Sequence, residues 1–112
     1  MDLYNEIQNK INELNISLKK LRETGTAYAE AERDYKLLLR KEILKLRDEG
    51  QAIGVITLIC YGIPSVAEAR FTRDVNEAIF KANQEAIQTI KLQIRIMENQ
   101  LQREWGVKEN LW

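Results

Sequence analysis

Apolar residues recur at alternating steps of three and four in both halves of the chain, and this spacing constrains the fold more than any other feature. In the first half the series is Tyr4, Ile7, Ile11, Leu14, Leu18 and Leu21. In the second half it is Phe80, Ile87, Ile90, Ile94, Met97 and Leu101, with the polar Asn83 at one position of the same spacing. Such spacing places side chains on one face of an α-helix and is typical of coiled coils. The sequence therefore predicts an all-α protein with two long helices.

Glycines mark the predicted end of the first helix and of the connector. Gly50 follows Arg47-Asp48-Glu49 and is a favoured residue just beyond a helix, so the first helix is predicted over about 2–48. We expect Gly25 to permit a close approach to a packing partner, with a short helix break there as the alternative. Residues 53–61 fit a short buried helix or a strand. A lone strand would have no partner, so we predict a connector over about 51–63 whose short helix ends at Gly62.

The second long helix is predicted over about 65–105. Ser65 and Glu68 have the spacing of a capping box, in which the serine accepts a bond from a backbone amide three residues on. Gly106 is the predicted terminator, which leaves a short tail over 106–112. Trp112 lies in this tail, where we expect it to contact a neighbouring subunit or another partner.

Two helices of similar length joined by a compact connector are expected to fold back as an antiparallel helical hairpin, a single domain over 1–112. The expected neighbours are Leu18 with Met97, Gly25 with Ile90, Glu32 with Asn83, and Glu42 with Arg73. A lone pair of arms, each about 60–70 Å long, is too thin to bury both apolar stripes. We therefore expect a homo-oligomeric helical bundle, a dimer or a higher assembly. Its predicted interface comprises Tyr4, Ile7, Ile11, Leu14, Leu18, Leu21, Ile87, Ile90, Ile94, Met97, Leu101 and Trp105.

Composition narrows the possible chemistry. The chain has no histidine and one cysteine, Cys60, so imidazole-based catalysis and multi-cysteine metal sites are excluded. No phosphate-binding glycine loop, no nucleophile elbow and no paired carboxylate motif occurs. Seventeen basic residues balance seventeen acidic ones, so no overall field attracts nucleic acid or anionic lipid. We therefore expect a non-enzymatic protein with no cofactor, no metal and no membrane contact, located in the cytoplasm.

Polar residues near the connector are the candidate ligand site. Arg73, Asn76 and Asn83 occupy positions where apolar side chains would pack better. One interpretation is that Glu42 and Glu32 pair with Arg73 and Asn83 to fix the helix register. The other is a pocket at a subunit interface, where Arg70 and Arg73 bind phosphate and Tyr61 or Phe71 stacks on a base. A third interpretation takes 56–67 as a helix-turn-helix, with DNA phosphates near Arg70 and Arg73.

Residues 61–71, 73–75 and 82–86 carry a resemblance to a known group. Through Tyr61-Gly62-Ile63-Pro64-Ser65-Val66-Ala67-Glu68-Ala69-Arg70-Phe71 the chain resembles small, largely uncharacterised all-helical proteins of tailed phages and prophages of Gram-positive bacteria. The resemblance implies action in the cytosol of an infected cell, in replication and recombination or against host defence. It carries over no functional residue.

These observations lead to three functional hypotheses. The first is a non-enzymatic, oligomeric phage protein that sequesters a small nucleotide immune signal or masks a host protein. The second is a replication or recombination accessory, or a DNA-binding protein, that uses the connector; we rank nucleic acid behind the first hypothesis. The third is a structural adaptor.

Overall fold

A computed structural model describes the backbone of residues 2–110 and the side-chain surroundings of residues 2–106. Within this range the chain forms three helices and no strand: α1 is Leu3–Asp48, α2 is Ile53–Gly62 and α3 is Pro64–Asn110. The all-α prediction is confirmed, and the ambiguous stretch 53–61 is helical. Trp112 lies outside the described residues.

Helix α1 is continuous through Gly25 and ends in the way its sequence predicts. Gly50 adopts a left-handed backbone with φ of 82°. Its amide donates to the Arg47 carbonyl, and the Gln51 amide donates to the Leu46 carbonyl, at 3.0 and 3.1 Å. These two bonds form a Schellman cap, which satisfies carbonyls that the last helical turn leaves open. A residue with a Cβ would be strained at position 50, so glycine fixes the end of α1.

Proline, not the predicted capping box, sets the boundary between α2 and α3. Ile63 is extended, with φ of −67° and ψ of 125°, as expected for a residue that precedes proline. Helix α3 starts at Pro64, where the missing amide hydrogen has no structural cost. Ser65 and Glu68 therefore lie inside the first turns of α3, and Ser65 is not the cap.

The second long helix extends beyond its predicted end. Gly106 lies within α3, which continues to Asn110, so the predicted tail is helical over its described residues 106–110. A single glycine lowers helix stability by only about 1 kcal/mol, and no proline follows it. The glycine alone is therefore insufficient to end the helix.

The described chain divides into two compact units, which we describe separately. The terminal unit comprises the described parts of 1–22 and 81–112, and the central unit comprises 23–80. In the terminal unit Ile7 and Ile87 are buried, and the Asn83 side-chain amide donates to the Ser17 carbonyl at 3.1 Å. Segments of α1 and α3 are thus in contact within this unit.

The core of the central unit forms where α2 packs against the end of α1. Leu46, Ile56 and Cys60 are buried together, and the partly buried residues packed against them are Leu39, Ile43 and Ile59. Val66, in the first turn of α3, is fully buried. All of these side chains are uncharged, so burial of apolar surface holds this corner together.

The pairing of α1 with α3 in the central unit differs from the predicted one. Arg73 lies over Tyr35, seven residues before the predicted partner Glu42. Gly25 approaches Phe80, where Ile90 was the predicted neighbour. The physical reason is the docked connector. Because α2 covers Leu39, Ile43 and Leu46, α3 meets α1 two turns farther from its end.

No single helix among the described residues has both the length and the apolar character of a membrane span. Helices α2 and α3 meet that criterion only when taken together, across a bend of 68°.

Candidate binding surface

The junction of α2 and α3 presents an aromatic ring and a guanidinium group side by side. The guanidinium carbon of Arg70 lies 5.4 Å from the ring centroid of Tyr61, a cation–π distance. Both side chains are at least partly accessible, and the neighbouring Phe71 is 64% exposed. This group can offer a flat aromatic face together with a positive charge.

Arg73 is held within the central unit. Its guanidinium carbon lies 4.5 Å from the ring centroid of the buried Tyr35. Its Nη2 and Nε donate to Oδ1 of Asp74, at 2.8 and 3.0 Å. The hydrogen bond to Asp74 raises the pKa of Arg73 above its ordinary value, against a smaller opposing effect of burial. The predicted pairing with Glu42 is wrong, because an aromatic ring and the adjacent carboxylate engage this arginine.

The two asparagines of the predicted site also have partners within their own units. The Asn76 side-chain amide donates to the Thr72 carbonyl one turn earlier in α3, at 2.8 Å. Asn83 donates to the Ser17 carbonyl in the terminal unit. Glu32, its predicted partner, lies in the central unit and pairs with Lys36 at 3.4 Å. Neither asparagine is brought to the Tyr61–Arg70 pair by a described contact.

The predicted ligand residues thus separate into two groups. Tyr61, Arg70, Phe71, Arg73 and Asn76 belong to the central unit, and only Tyr61 and Arg70 are joined by a described contact. Asn83 belongs to the terminal unit.

The predicted interface residues differ in exposure. Ile7 and Ile87 are buried within the chain, whereas Tyr4, Leu18 and Trp105 are exposed. The remaining seven are partly buried: Ile11, Leu14, Leu21, Ile90, Ile94, Met97 and Leu101. Most of the predicted series is therefore at least partly covered in the single chain.

Two exposed apolar stripes of the central unit were not predicted. The α1 stripe consists of Leu37 and Leu44, and the α3 stripe consists of Phe71, Val75 and Ile79. Their spacings of seven and four residues were visible in the sequence, but they lie outside the series that suggested the hairpin. Helix α2 adds Ile53 and Leu58, which are 80% and 77% exposed. A concentration of uncovered apolar side chains is typical of interaction surfaces.

Three surface depressions on the described residues are shallow grooves, each lined by residues of one helix or its end. The groove over the α1 stripe measures about 650 Å³ and is lined by Leu37, Leu44, Arg40, Lys41, Lys45, Asp48 and Glu49. Two others, of about 450 and 410 Å³, are lined by α3 residues of the terminal unit. Nowhere in the described range do three or more potential metal ligands of the histidine, cysteine and carboxylate types cluster.

Compared with protein-family models, with curated proteins and with solved structures, the chain matches none of them.

Proposed function

We propose that this chain is a non-enzymatic binding protein whose hairpin of α1 and α3 assembles with copies of itself. The observation that carries the proposal is the uncovered apolar surface of the central unit. Exposed large side chains on all three of its helical segments surround a small buried core. Burying such side chains favours association by about 25 cal/mol per Å² of apolar area. An assembly is the simplest way to cover this surface.

The ligand in this proposal is a small nucleotide, held beside the Tyr61–Arg70 pair at a subunit interface. Guanidinium groups bind phosphate through charge-assisted hydrogen bonds, and aromatic rings stack on bases. Arg70 and the exposed Phe71 are adjacent in α3. Arg73 is assigned to holding Tyr35 in place, since it already has two partners. The biological role that we propose is that of a phage protein in the host cytosol, which sequesters a nucleotide immune signal or masks a host protein.

Calorimetric titration tests the ligand. A panel of cyclic nucleotides and cyclic ADP-ribose isomers is titrated into the wild-type chain and into the Tyr61→Ala and Arg70→Ala variants. We expect binding to one class of ligand, weakened about tenfold or more by Arg70→Ala because a charge-assisted hydrogen bond is lost. Arg33→Ala is the matched control, since Arg33 is an exposed arginine of the same unit that pairs with Asp34. No heat with any ligand would reject nucleotide sequestration.

DNA binding is the second candidate, favoured by the 68° bend between α2 and α3. Under this alternative the Arg70→Ala variant loses a salt-dependent affinity for duplex DNA, and Arg73 is left unchanged because it contacts the buried Tyr35. Unchanged affinity in that variant would exclude the junction as the contact surface. Absence of both ligand and DNA binding, with assembly retained, would favour a structural adaptor.

A further inference from the structure

We infer that the α1 stripe of one copy binds the α3 stripe of the next copy, so that the chain assembles head to tail. This inference rests on the proposed self-assembly and names the two surfaces that produce it. The α1 stripe is Leu37 and Leu44, and the α3 stripe is Phe71, Val75 and Ile79.

The two stripes match in length. At 1.5 Å per residue, the seven-residue step from Leu37 to Leu44 spans about 10 Å. The eight-residue step from Phe71 to Ile79 spans about 12 Å. Each stripe covers about two helical turns, so each can cover the other along its length.

The charges beside the two stripes differ in their balance. The groove over the α1 stripe is lined by three basic residues, Arg40, Lys41 and Lys45, and by two acidic ones, Asp48 and Glu49. Beside the α3 stripe lie the exposed Glu68 and also Asp74, whose Oδ1 already accepts hydrogen bonds from Arg73. Glu68 is therefore the carboxylate that can face the basic residues of the α1 groove, and this pairing favours contact between unlike stripes.

The orientation of the stripes determines the type of assembly. At 100° per residue, Leu37 and Leu44 lie on the side of α1 opposite the buried Tyr35 and Leu46. By the same geometry, the α3 stripe lies opposite Phe80 and the buried Val66, which pack inward. The stripes therefore face away from the interior of the central unit on two different helices. An interface between unlike surfaces is heterologous, and it leaves one stripe of each kind open on a pair of copies.

A mixing experiment tests this arrangement. Leu37→Lys blocks the α1 stripe and Ile79→Lys blocks the α3 stripe; both positions are exposed and helical, so each variant keeps its fold, which circular dichroism verifies. Wild-type protein is expected to exceed a dimer in light scattering. Each variant alone should associate about 30-fold more weakly or worse, because a buried apolar side chain is replaced by a charge. An equimolar mixture should form a one-to-one heterodimer through the one intact pair of stripes.

Leu58→Lys is the matched control, since Leu58 is a leucine on α2 that is more exposed than Leu37 (77% against 61%) and lies outside both stripes. We expect it to leave assembly unchanged. Dissociated variants that do not recombine in the mixture would overturn the head-to-tail arrangement, as would assembly that is lost in Leu58→Lys or unaffected in all three variants. These outcomes leave the proposed self-assembly standing. A wild-type chain that is monomeric at micromolar concentration would reject both.

Discussion

At the scale of single residues, Gly25 determines how closely α1 and α3 approach in the central unit. A Cβ built on Gly25 would lie 3.1 Å from Cε1 of Phe80, closer than ordinary van der Waals contact. The same phenylalanine ring lies 6.0 Å from the ring of Tyr28, at a tilt of 34°. The absent side chain therefore makes room for an aromatic pair that contributes to the contact between the helices.

Substitution of Gly25 tests this contact. We expect Gly25→Leu to lower the free energy of unfolding by about 2–3 kcal/mol, because the added side chain crowds Phe80. In Gly25→Ala the gain in helix propensity, about 1 kcal/mol, is offset by the cost of displacing the Phe80 ring, so we expect little change in the free energy of unfolding. Gly106→Ala is the control, because it lies in a helix with nothing within 4 Å of the added Cβ, and it should be stabilising. Urea denaturation at one protein concentration measures the free energy of unfolding of all three variants. A Gly25→Leu variant as stable as the wild type would contradict the close approach of Gly25 to Phe80.

At the scale of secondary-structure elements, the docking of α2 decides the register of the whole central unit. Cys60 is 1% exposed and lies against Leu46 and Ile56. Ile53 and Leu58 on the same helix are largely exposed. The sequence of α2 is apolar on every side, so its buried and exposed faces do not differ in polarity. Burial of one face of α2 therefore reflects the position of α1, not a polar face of its own.

The thiol of Cys60 reports whether α2 is docked. We expect it to react with a thiol reagent about 100-fold or more slowly in the native protein than in urea, since a buried thiol reacts only when the structure opens. Ile56→Ala leaves a cavity beside Cys60 and should accelerate the reaction. Leu58→Ala, on the exposed face of the same helix, should leave the rate unchanged. A wild-type rate equal to that of the unfolded chain would mean that α2 is not packed as described.

The register of the elements marks the limit of prediction from this sequence. Periodicity predicted α1 and α3, and Gly50 predicted the end of α1, because both signals are local. The predicted partner of Arg73, Glu42, was wrong because periodicity contains no information on how far α2 folds back along α1. The exposed stripe of Leu37 and Leu44 was missed for a related reason: apolar residues on the outer face have the same spacing as those on the inner face.

At the scale of the whole molecule, the proposed self-assembly would make stability depend on protein concentration. The chain carries equal numbers of acidic and basic residues, so no net repulsion opposes contact between copies near neutral pH. The proposed self-assembly would bury apolar side chains that a single chain leaves exposed.

Unfolding measured over a range of protein concentrations tests this connection. Each tenfold increase should stabilise the native state by about 1.4 kcal/mol per association step, because folding is linked to association. The midpoint of thermal or urea unfolding should therefore rise with concentration. An unfolding midpoint that stays constant over a roughly 100-fold range of micromolar protein concentration, together with a monomeric mass, would contradict the proposed self-assembly.

The packing of α2 against the end of α1 depends on temperature. Apart from the Tyr61–Arg70 stack, no side chain of α2 forms a hydrogen bond or an ion pair with another described residue, so its attachment to α1 depends on the release of water from apolar surface. That driving force weakens on cooling, whereas hydrogen-bonded helix ends such as the cap at Gly50 do not share this dependence. The docking of α2 on α1 is therefore expected to weaken on cooling.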